Sequence, residues 1–492
     1  MPVDEQVDES PRREAGQRPN ILLLCTDQQR WDALGAAGNP HIDTPHLDRL
    51  AAEGARLTQC YVQSPVCGPS RASLMTGRYP RNHGEWANGV DLPADQELFT
   101  RALADVGYDC GLVGKLHLGA AAGGRVEPRL DDGFSTFRWA HDPYVSSSQN
   151  AYHGWLEQHF PGVLARTLAQ GPAAFDTLPT EAHYSHWVAE EALGFLRRER
   201  GQPFCLVANF FDPHHGFGSP PEYRARYCAE TLPPPSTVPD ELADKPAVWT
   251  EASRRSSAGR ARGFAEHSAE EIQEIKAQYY AMVSLVDDEV GRVLDALDEL
   301  GLREDTVVVF TSDHGELLGD HQMLLKGPMM FDCSVRVPLL VRWPDRVAAG
   351  TVREDLVQWI DLAPTLLEAA GLPEALPRGQ GRSLLPLLVG DPSWCPRGWA
   401  LSEYRDSGAP YDPPVHTTML RHASTKLVVH HGPPATSRPR DGELYDLAAD
   451  PGELTNLWRD PGSAGLRLEM LERLLDVLVA TEDRSNPRLA AF

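Results

Sequence analysis

The sequence predicts an α/β fold: a mostly parallel central sheet flanked by helices, with a smaller C-terminal α+β subdomain that contains an antiparallel sheet. Three observations support this class. Short apolar runs alternate with helical patterns before residue 395, titratable residues follow several of these runs, and strand patterns without intervening helices come later. The length of 492 residues suits about two or three domains. We expect a disordered tail over 1–18, the larger domain over 19–394 and the C-terminal subdomain over 395–492.

Five segments are predicted to be buried strands because each is short, continuous and apolar. They cover Asn20–Thr26, 109–113, 204–210, 306–311 and 337–341. The longest helix is predicted over 267–300, where Ser268 and Glu271 form a capping box and apolar residues recur at helical spacing. Strands that alternate with helices favour a mostly parallel sheet covered on both faces.

Two long segments, 119–150 and 231–265, show no regular pattern and are predicted to be loops. Loops of this length often form the rim of an active site. After residue 395, short strands are predicted over 399–404, 419–422, 426–430 and 443–447. A final helix over 465–481 is expected to pack on them.

The charge of the chain limits its partners. With 46 basic and 70 acidic residues the formal net charge is −24, which argues against nucleic-acid binding because phosphate contacts need a basic face. No apolar run approaches the ~20 residues of a membrane span, and the N-terminal segment is acidic and polar, unlike a secretory signal. We therefore expect a cytoplasmic protein with neither nucleic-acid nor membrane partners. None of the eight cysteines forms a C-x-x-C pair, so a zinc ribbon is not predicted.

Titratable residues follow four of the predicted strands directly. They are Asp27; Lys115 and His117; Asp212 and His214; and Asp313 and His314. In an open α/β sheet, ligands bind at the carboxyl ends of the strands. Structural roles alone hardly explain why four strands each place titratable side chains at the same edge of the sheet. We therefore predict a functional site at this edge.

Residues 65–78, P-V-C-G-P-S-R-A-S-L-M-T-G-R, form the most informative motif. Pro69 suits the first turn of a helix and Gly77 can end it, which places Cys67 at the helix N-terminus. Free N–H groups and the helix dipole favour an anion at that position, and Arg71 lies one turn further on. As generic chemistry, Cys67 is either an activated nucleophile or part of an anion pocket.

The C-G-P-S-R segment, followed by T-G-R, resembles the signature of the type I sulfatases. In that family a maturation enzyme recognises Cys-x-Pro-x-Arg and oxidises the cysteine to formylglycine. The resemblance continues in PNILLLCTD (19–27), TPHLDRLAAEG (44–54), GYDCGLVGKLHLG (107–119), TSDHGELLGDHQMLLKG (311–327) and LYDLAADPGELTNL (444–457). It covers most of residues 19–460 and implies an alkaline-phosphatase-like fold.

The resemblance implies hydrolysis of a sulfate monoester. In the family, formylglycine is hydrated to a geminal diol on a divalent metal, and one hydroxyl attacks the sulfur and expels the alcohol. Collapse of the hemiacetal then releases sulfate and regenerates the aldehyde. A serine would stall as a stable sulfate ester, which explains the unusual nucleophile.

The resemblance also implies two groups of site residues. The metal ligands are expected to be Asp27, the modified Cys67, Asp313 and His314. Such donors suit Ca²⁺ best, with Mg²⁺ or Mn²⁺ as alternatives. The anion pocket is expected to contain Arg71, Lys115, His117, His214 and Lys326. Either His214 or Lys326 is expected to protonate the leaving alkoxide as general acid.

Four further positions carry weaker expectations. Asn88 is expected to bind a sulfate oxygen, and Gln28 to contact the substrate or the metal. Asp27-Gln28 and Asp313-His314 depart from the Asp-Asp and Asp-Asn of many sulfatases and resemble the choline-sulfatase and phosphonate monoester hydrolase branch. For His215 and His321 we expect structural roles, as a loop cap and a solvated helix residue.

The nearest alternative function is a phosphonate monoester or phosphodiester hydrolase with the same nucleophile. The Gly-Lys115-x-His117 segment favours sulfate, because the phosphonate hydrolases lack this Lys/His pair. A non-catalytic binding protein is disfavoured by the intact Cys67, Arg71 and metal set, and a metal-dependent phosphatase would use an unmodified Ser or Thr. The expected partners are a small-molecule or saccharide sulfate ester and the maturation enzyme. The oligomeric state is open, and a homo-oligomer is compatible with the sequence.

Overall fold

A nine-stranded sheet forms the centre of the computed structural model, which describes residues 18–407, 411, 414–432 and 441–483, without the side chains of 257 and 258. The predicted tail over 1–18 lies outside these residues, apart from Arg18. The strands in chain order are β1 (Asn20–Thr26), β2 (Ala55–Tyr61), β3 (Asp109–Gly114), β4 (Thr136–Trp139), β5 (Phe204–Asn209), β6 (Ala261–Arg262), β7 (Thr306–Ser312), β8 (Arg336–Val337), β9 (Leu339–Arg342), β10 (Thr351–Gln358), β11 (Trp399–Arg405), β12 (His416–His422), β13 (Thr425–His431) and β14 (Asp441–Asp446).

The central sheet is mostly parallel, as predicted. Its strand order is β10-β2-β9-β7-β1-β5-β3-β4, and the short β8 pairs with β2. β1 lies between β7 and β5 in parallel register, and β3 continues the parallel set between β5 and β4. β9 runs antiparallel to both β7 and β2. Five consecutive parallel strands, β7, β1, β5, β3 and β4, therefore direct their carboxyl ends to one edge of the sheet.

Helices cover both faces of this sheet. In the described part of the chain the α-helices are α1 (Pro45–Glu53), α2 (Cys67–Thr76), α3 (Pro80–His83), α4 (Phe99–Asp105), α5 (Ala151–His159), α6 (Val163–Gln170), α7 (Tyr184–Leu196), α8 (Pro221–Arg224), α9 (Val248–Arg254), α10 (Ser256–Gly259), α11 (Ala269–Glu299), α12 (Asp332–Val335), α13 (Leu362–Ala369), α14 (Leu385–Leu388) and α15 (Ala464–Ala480). α11 is the predicted long helix, and its Ser268–Glu271 capping box is present.

The alternation of side chains along β1 shows why the sheet is buried on both faces. Ile21 and Leu23 belong to one apolar cluster, while Leu22 and Leu24 belong to another, and all four are 0% exposed. α2, α4 and α13 contribute residues to the first cluster, and α7 and α11 contribute to the second. A strand that is buried on both faces has a continuous apolar sequence, which is why β1, β3, β5 and β7 are predictable.

Three features of the central sheet differ from the prediction. The segment 337–341 is not one strand: Pro338, which has no backbone N–H, separates β8 from β9. The strands β2, β4 and β10 were not predicted, because each contains partly exposed residues and none has a continuous buried apolar run. The segments predicted to be loops contain β4, α9 and α10 as well as irregular chain.

The C-terminal subdomain contains the predicted antiparallel sheet. β11, β12, β13 and β14 pair in chain order, and every pairing is antiparallel. α15 packs on this sheet through Met470 and Leu474, which share an apolar cluster with Leu420 and Leu427. No helix among the described residues is long and apolar enough to cross a bilayer.

Candidate active site

Four neighbouring strands deliver polar side chains to the same edge of the central sheet. Asp27 follows β1, Lys115 follows β3, His214 lies beyond β5, and Asp313 with His314 follows β7. Because β7, β1, β5 and β3 are consecutive parallel neighbours, the chain returns to this edge after each of them. The predicted convergence of these residues is therefore present in the fold.

Cys67 is the first residue of α2 and lies within this group. The Cys67 Sγ accepts a hydrogen bond from Lys326 Nζ at 2.8 Å and lies 3.2 Å from His314 Nε2 and 3.7 Å from Asp27 Oδ1. α2 ends at Gly77 in the left-handed conformation, as the motif predicts. The helix N-terminus thus holds residue 67 against the polar edge of the sheet.

Four side chains form a candidate metal centre. The ligand atoms of Asp27, Cys67, Asp313 and His314 lie within 4.8 Å of one another, and all four residues are buried. Two carboxylates and one imidazole, with the side chain of residue 67 as a further donor, suit a divalent cation such as Ca²⁺, Mg²⁺ or Mn²⁺. The residues present therefore fit the group that the resemblance implies.

Arg71 holds the two carboxylates of this centre. Its Nε donates to Asp313 Oδ2 at 2.7 Å, and its Nη2 lies 3.4 Å from Asp27 Oδ2. Its Nη1 donates to the backbone oxygen of Lys115 at 2.9 Å. Arg71 does not line the cavity described below, so its position differs from the expected one in the anion pocket. Its guanidinium contacts the carboxylates of Asp27 and Asp313, and its role toward the anion stays a prediction.

The cations around Cys67 decide its electrostatics. Burial alone would raise the pKa of the thiol, but Lys115, Lys326 and His314 outweigh it and hold the pKa well below its usual value. Burial would likewise lower the pKa of Lys115, but Asp27 and Cys67 raise it to about 12. Burial lowers the pKa of His117 to about 4, so this imidazole is neutral near pH 7. The site therefore favours negative charge at residue 67.

A cavity of about 490 Å³ opens onto Cys67. Five other predicted site residues also line it: Asn88, Lys115, His117, His214 and Lys326. Further lining comes from 121–122 and 141–142, from 260–261, and from Tyr404, Ser407 and Tyr411. The two long segments and the C-terminal subdomain therefore form the rim, as the sequence predicts.

Gln28 is buried and is not among the residues that line the cavity. It is 0% exposed, its Nε2 donates to Glu316 Oε2, and its Oε1 contacts His215 Nδ1 at 3.2 Å. Its backbone N–H donates to Asp313 Oδ1 at 3.0 Å. Both ends of the amide therefore contact protein groups, and the expected contact of Gln28 with the substrate or the metal stays a prediction.

Three histidines differ from the expectations or were not selected from the sequence. His215 lines the cavity, although a structural cap was expected. His321 is 3% exposed, bonds to Glu241 and stacks on Phe331, so the prediction of a solvated residue was wrong. His141 also lines the cavity, 4.4 Å from His117 between ring centroids. Its only sequence signal was its place in the segment 119–150.

The backbone at Gly114 sets the position of Lys115. Gly114 has a φ of +91°, and a Cβ added there would lie 2.0 Å from the backbone oxygen of Asn209. Gly107, two residues before β3 begins, has a φ of +93° with open space around it. Both glycines therefore favour the left-handed region, but only Gly114 also lies against neighbouring backbone.

We expect Gly114→Ala to lower the free energy of unfolding by at least about 2 kcal/mol more than Gly107→Ala does. Both variants have an unfavourable φ, but only the first also collides with β5, and its displacement of Lys115 should lower activity as well. Urea denaturation of the two variants, with steady-state rates, makes the comparison. Equal losses of stability would contradict the close packing at Gly114.

Comparison with known proteins gives matches over nearly the whole chain. Residues 19–372 match the family described as "Sulfatase", and residues 319–480 match "N-sulphoglucosamine sulphohydrolase, C-terminal". The chain is 33% identical to the "Multifunctional alkaline phosphatase superfamily protein PehA" of Trinickia caryophylli, over 95% of this chain and 96% of that protein. It is 30% identical to the "Arylsulfatase" of Clostridium perfringens, over 89% and 90% of the two chains. The crystal structure of the phosphonate monoester hydrolase of Agrobacterium radiobacter matches with a TM-score of 0.80 at 26% identity, over 96% and 98% of the two chains.

Proposed function

The chain belongs to the sulfatase family, and we propose that it hydrolyses a sulfate monoester to an alcohol and inorganic sulfate with residue 67 in its formylglycine form. One observation carries this proposal. The buried cluster of Asp27, Cys67, Asp313 and His314 adjoins a cavity that Lys115 and Lys326 also line. A nucleophile position, a cation site and two lysines for an anion are thus in one place.

Asp27, residue 67, Asp313 and His314 would hold one divalent cation, which we propose to be Ca²⁺ because the donors are hard. The hydrated aldehyde supplies a nucleophilic hydroxyl, and the cation supplies Lewis-acid stabilisation of negative charge. Cys67 is 1% exposed, so a maturation enzyme would have to oxidise it before folding is complete. We propose such an enzyme as a partner of the unfolded chain.

The cationic side chains bind and orient the sulfate group. Lys115 Nζ lies 2.6 Å from Asp27 Oδ2 and also lines the cavity, so it both holds this carboxylate and faces the anion. Asn88 accepts a hydrogen bond from the Gly68 N–H with its Oδ1, which leaves its amide N–H groups for a sulfate oxygen. His117 is a neutral imidazole near pH 7 and can accept a proton from residue 67.

We assign the proton donor for the leaving oxygen to Lys326. His214 Nδ1 donates to the backbone oxygen of His215 at 2.5 Å, so in the neutral ring its Nε2 is an acceptor. Burial, followed by the charge of Lys326, lowers the pKa of His214 and favours that neutral ring. Lys326 carries donors only and lies 2.8 Å from Cys67 Sγ, so it can give a proton next to the reacting centre.

Lys326→Ala should slow an alkyl sulfate at least about 10²-fold and an activated aryl sulfate far less, because only the poor leaving group needs the proton. Steady-state rates with a series of sulfate esters of rising alcohol pKa measure this dependence. Lys276→Ala removes another lysine from outside the site and should leave the dependence unchanged. An equal loss of rate with every ester would show that Lys326 does not protonate the leaving group.

A phosphonate monoester or phosphodiester hydrolase with the same nucleophile is the second candidate. The similarity to the phosphonate monoester hydrolase of Agrobacterium radiobacter supports it. The cavity favours sulfate, because Lys115 and His117 add donors that a singly charged diester does not need. When a sulfate ester and a phosphonate ester carry the same aryl leaving group, we expect the higher kcat/KM for the sulfate ester. The reverse order would favour the alternative.

Three further properties complete the proposal. The substrate is a small-molecule or saccharide sulfate, and the match to the N-sulphoglucosamine sulphohydrolase family supports a saccharide. We place the protein in the cytoplasm because none of the eight cysteines, all within the described residues, forms a disulfide bond. We keep the division between a catalytic domain over 19–394 and a subdomain over 395–492.

A further inference from the structure

Lys326 lies on a buried segment without regular secondary structure. Residues 323–331, all of which the structure describes, form neither helix nor strand, yet every one of them is buried. A buried segment of this kind needs partners for its backbone groups from neighbouring parts of the chain. The position of Lys326, whose Nζ lies 2.8 Å from Cys67 Sγ, therefore depends on what holds this segment.

The larger domain holds the segment on the N-terminal side of Lys326. The backbone N–H of Leu325 donates to Glu316 Oε1, and the backbone oxygen of Leu325 accepts from the Leu317 N–H at 3.1 Å. Both partners belong to the stretch that follows β7. Lys326 is thus anchored at the residue directly before it.

The C-terminal sheet holds the segment on the other side of Lys326. Thr417 of β12 donates from Oγ1 to the backbone oxygen of Pro328 at 3.1 Å. Lys426 of β13 donates from Nζ to the backbone oxygen of Met330 at 3.0 Å. Both side chains are 0% exposed. Two buried side chains of the smaller subdomain therefore contact the segment just after Lys326.

Lys426 is a buried charge that the mechanism does not use. Its Nζ lies 2.5 Å from Asp332 Oδ1 and 2.6 Å from Glu453 Oε1, and Glu453 Oε2 accepts the backbone N–H of Asp332 at 2.6 Å. Burial would lower the pKa of the ammonium group, but the two carboxylates outweigh it and raise that pKa, so Lys426 stays charged. The charged group therefore connects β13, the loop after β14 and the end of the segment at Asp332.

Stability alone gives little reason for this arrangement. Replacing a buried ion pair by apolar side chains of similar volume is often neutral or stabilising. An apolar side chain at residue 426 could neither donate to the Met330 carbonyl nor hold the Asp332 carboxylate. Lys426 thus supplies a defined position for residues 330 and 332.

We propose that Thr417 and Lys426 are positioning residues for the reaction: through the backbone of 327–332 they hold Lys326 where its ammonium group reaches residue 67. The inference rests on the proposed function, in which Lys326 acts at the reacting centre. Neither Thr417 nor Lys426 is among the described residues that line the cavity, so their effect passes through Lys326. The C-terminal subdomain then contributes to the rate as well as to the rim.

The first test needs no turnover. Hydrogen–deuterium exchange, read by mass spectrometry, reports the local opening of the peptides over 323–335. Lys426→Met should raise the exchange rate there at least about tenfold, because the charged donor that holds the segment is lost. Arg342→Met removes a different buried cation, which pairs with Glu53, and should leave exchange over 323–335 unchanged. Unchanged exchange in Lys426→Met would overturn the inference whatever the enzyme hydrolyses.

The second test uses Thr417→Val, a milder variant that removes one donor and keeps the shape of the side chain. It should lower kcat for an alkyl sulfate about fivefold more than for an activated aryl sulfate, because a displaced Lys326 supports a poor leaving group less well. KM should change by less than about twofold. Thr306→Val removes a buried hydroxyl that donates to Leu302 O at 2.7 Å, and it should leave both rates unchanged.

A combined variant shows whether the effect passes through Lys326. When Lys326→Ala is already present, adding Thr417→Val should lower kcat by no more than about twofold, because residues that act as a unit are not additive. A full additional loss would overturn the inference, since Thr417 would then act without Lys326. Equal losses of kcat with both esters in Thr417→Val would overturn it as well, because a merely structural change produces that result.

The outcomes separate the inference from the proposed function. An unchanged preference between the two esters in Thr417→Val overturns the positioning role while sulfate hydrolysis stands. No release of sulfate from any ester by the metal-loaded, oxidised enzyme refutes the proposed function itself. Unchanged exchange in Lys426→Met refutes only the hold of the C-terminal sheet on the segment.

Discussion

Cys67→Ala should abolish sulfate release, with kcat at least about 10³-fold lower, while the protein keeps its fold. The substitution removes the thiol without which the Cβ of residue 67 cannot be oxidised to the aldehyde, and no neighbouring side chain can replace it. The fold should survive, because residue 67 is small and alanine keeps the first turn of α2. Sulfate release and thermal unfolding check the two halves of this expectation. Turnover by the variant at an ordinary rate would contradict it.

Cys67→Ser is the matched variant. A serine hydroxyl at the same position can attack sulfur, but it has no second hydroxyl whose deprotonation expels the sulfate. We expect at most one turnover, followed by a stable sulfate ester on residue 67 that intact-protein mass spectrometry detects. Repeated turnover by this variant would show that the second hydroxyl is not needed.

Asp313→Asn is expected to lower both metal content and activity, with kcat/KM reduced at least about a hundredfold. The Asp313 carboxylate accepts hydrogen bonds from Arg71 at 2.7 Å and from the Gln28 backbone N–H at 3.0 Å. These two contacts position the carboxylate as a ligand of the metal centre. Asparagine keeps the volume but loses the charge. Elemental analysis per chain and activity at rising metal concentration measure the two effects.

The control for this variant is Asp295→Asn, at an exposed ion pair with Arg49. Exposed ion pairs contribute little to stability, so the metal content, activity and stability of Asp295→Asn should match those of the unsubstituted protein. A variant of Asp313 that retains one metal per chain and full activity would refute the assignment of Asp313 as a ligand.

The fold could be predicted where the sequence pattern is local. β1 and β7 are buried on both faces and therefore have continuous apolar sequences, and the capping box at Ser268 is readable from four residues. β2 and β10 escaped prediction because they are partly exposed, and exposure removes the apolar run. The division of 337–341 at Pro338 depends on a backbone N–H and not on hydropathy.

The candidate site was likewise predictable only where its residues lie in local motifs. Cys67, Lys115 and Lys326 could be selected because each lies in a motif with its own spacing, and the structure brings them into one cavity. The contacts of Gln28 could not, because its partner Glu316 is 288 residues away in the chain. A sequence pattern does not show which buried partner a side chain meets across such a separation.

Mass spectrometry of the peptide that contains Cys67, from protein made in its natural host, tests the central claim most directly. We expect an aldehyde at residue 67 in the active, metal-loaded enzyme. That result would establish the nucleophile on which the roles of Lys115, Lys326 and the metal ligands depend. An unmodified thiol at full activity would contradict the account, because the buried sulfur would then have no part in expelling sulfate.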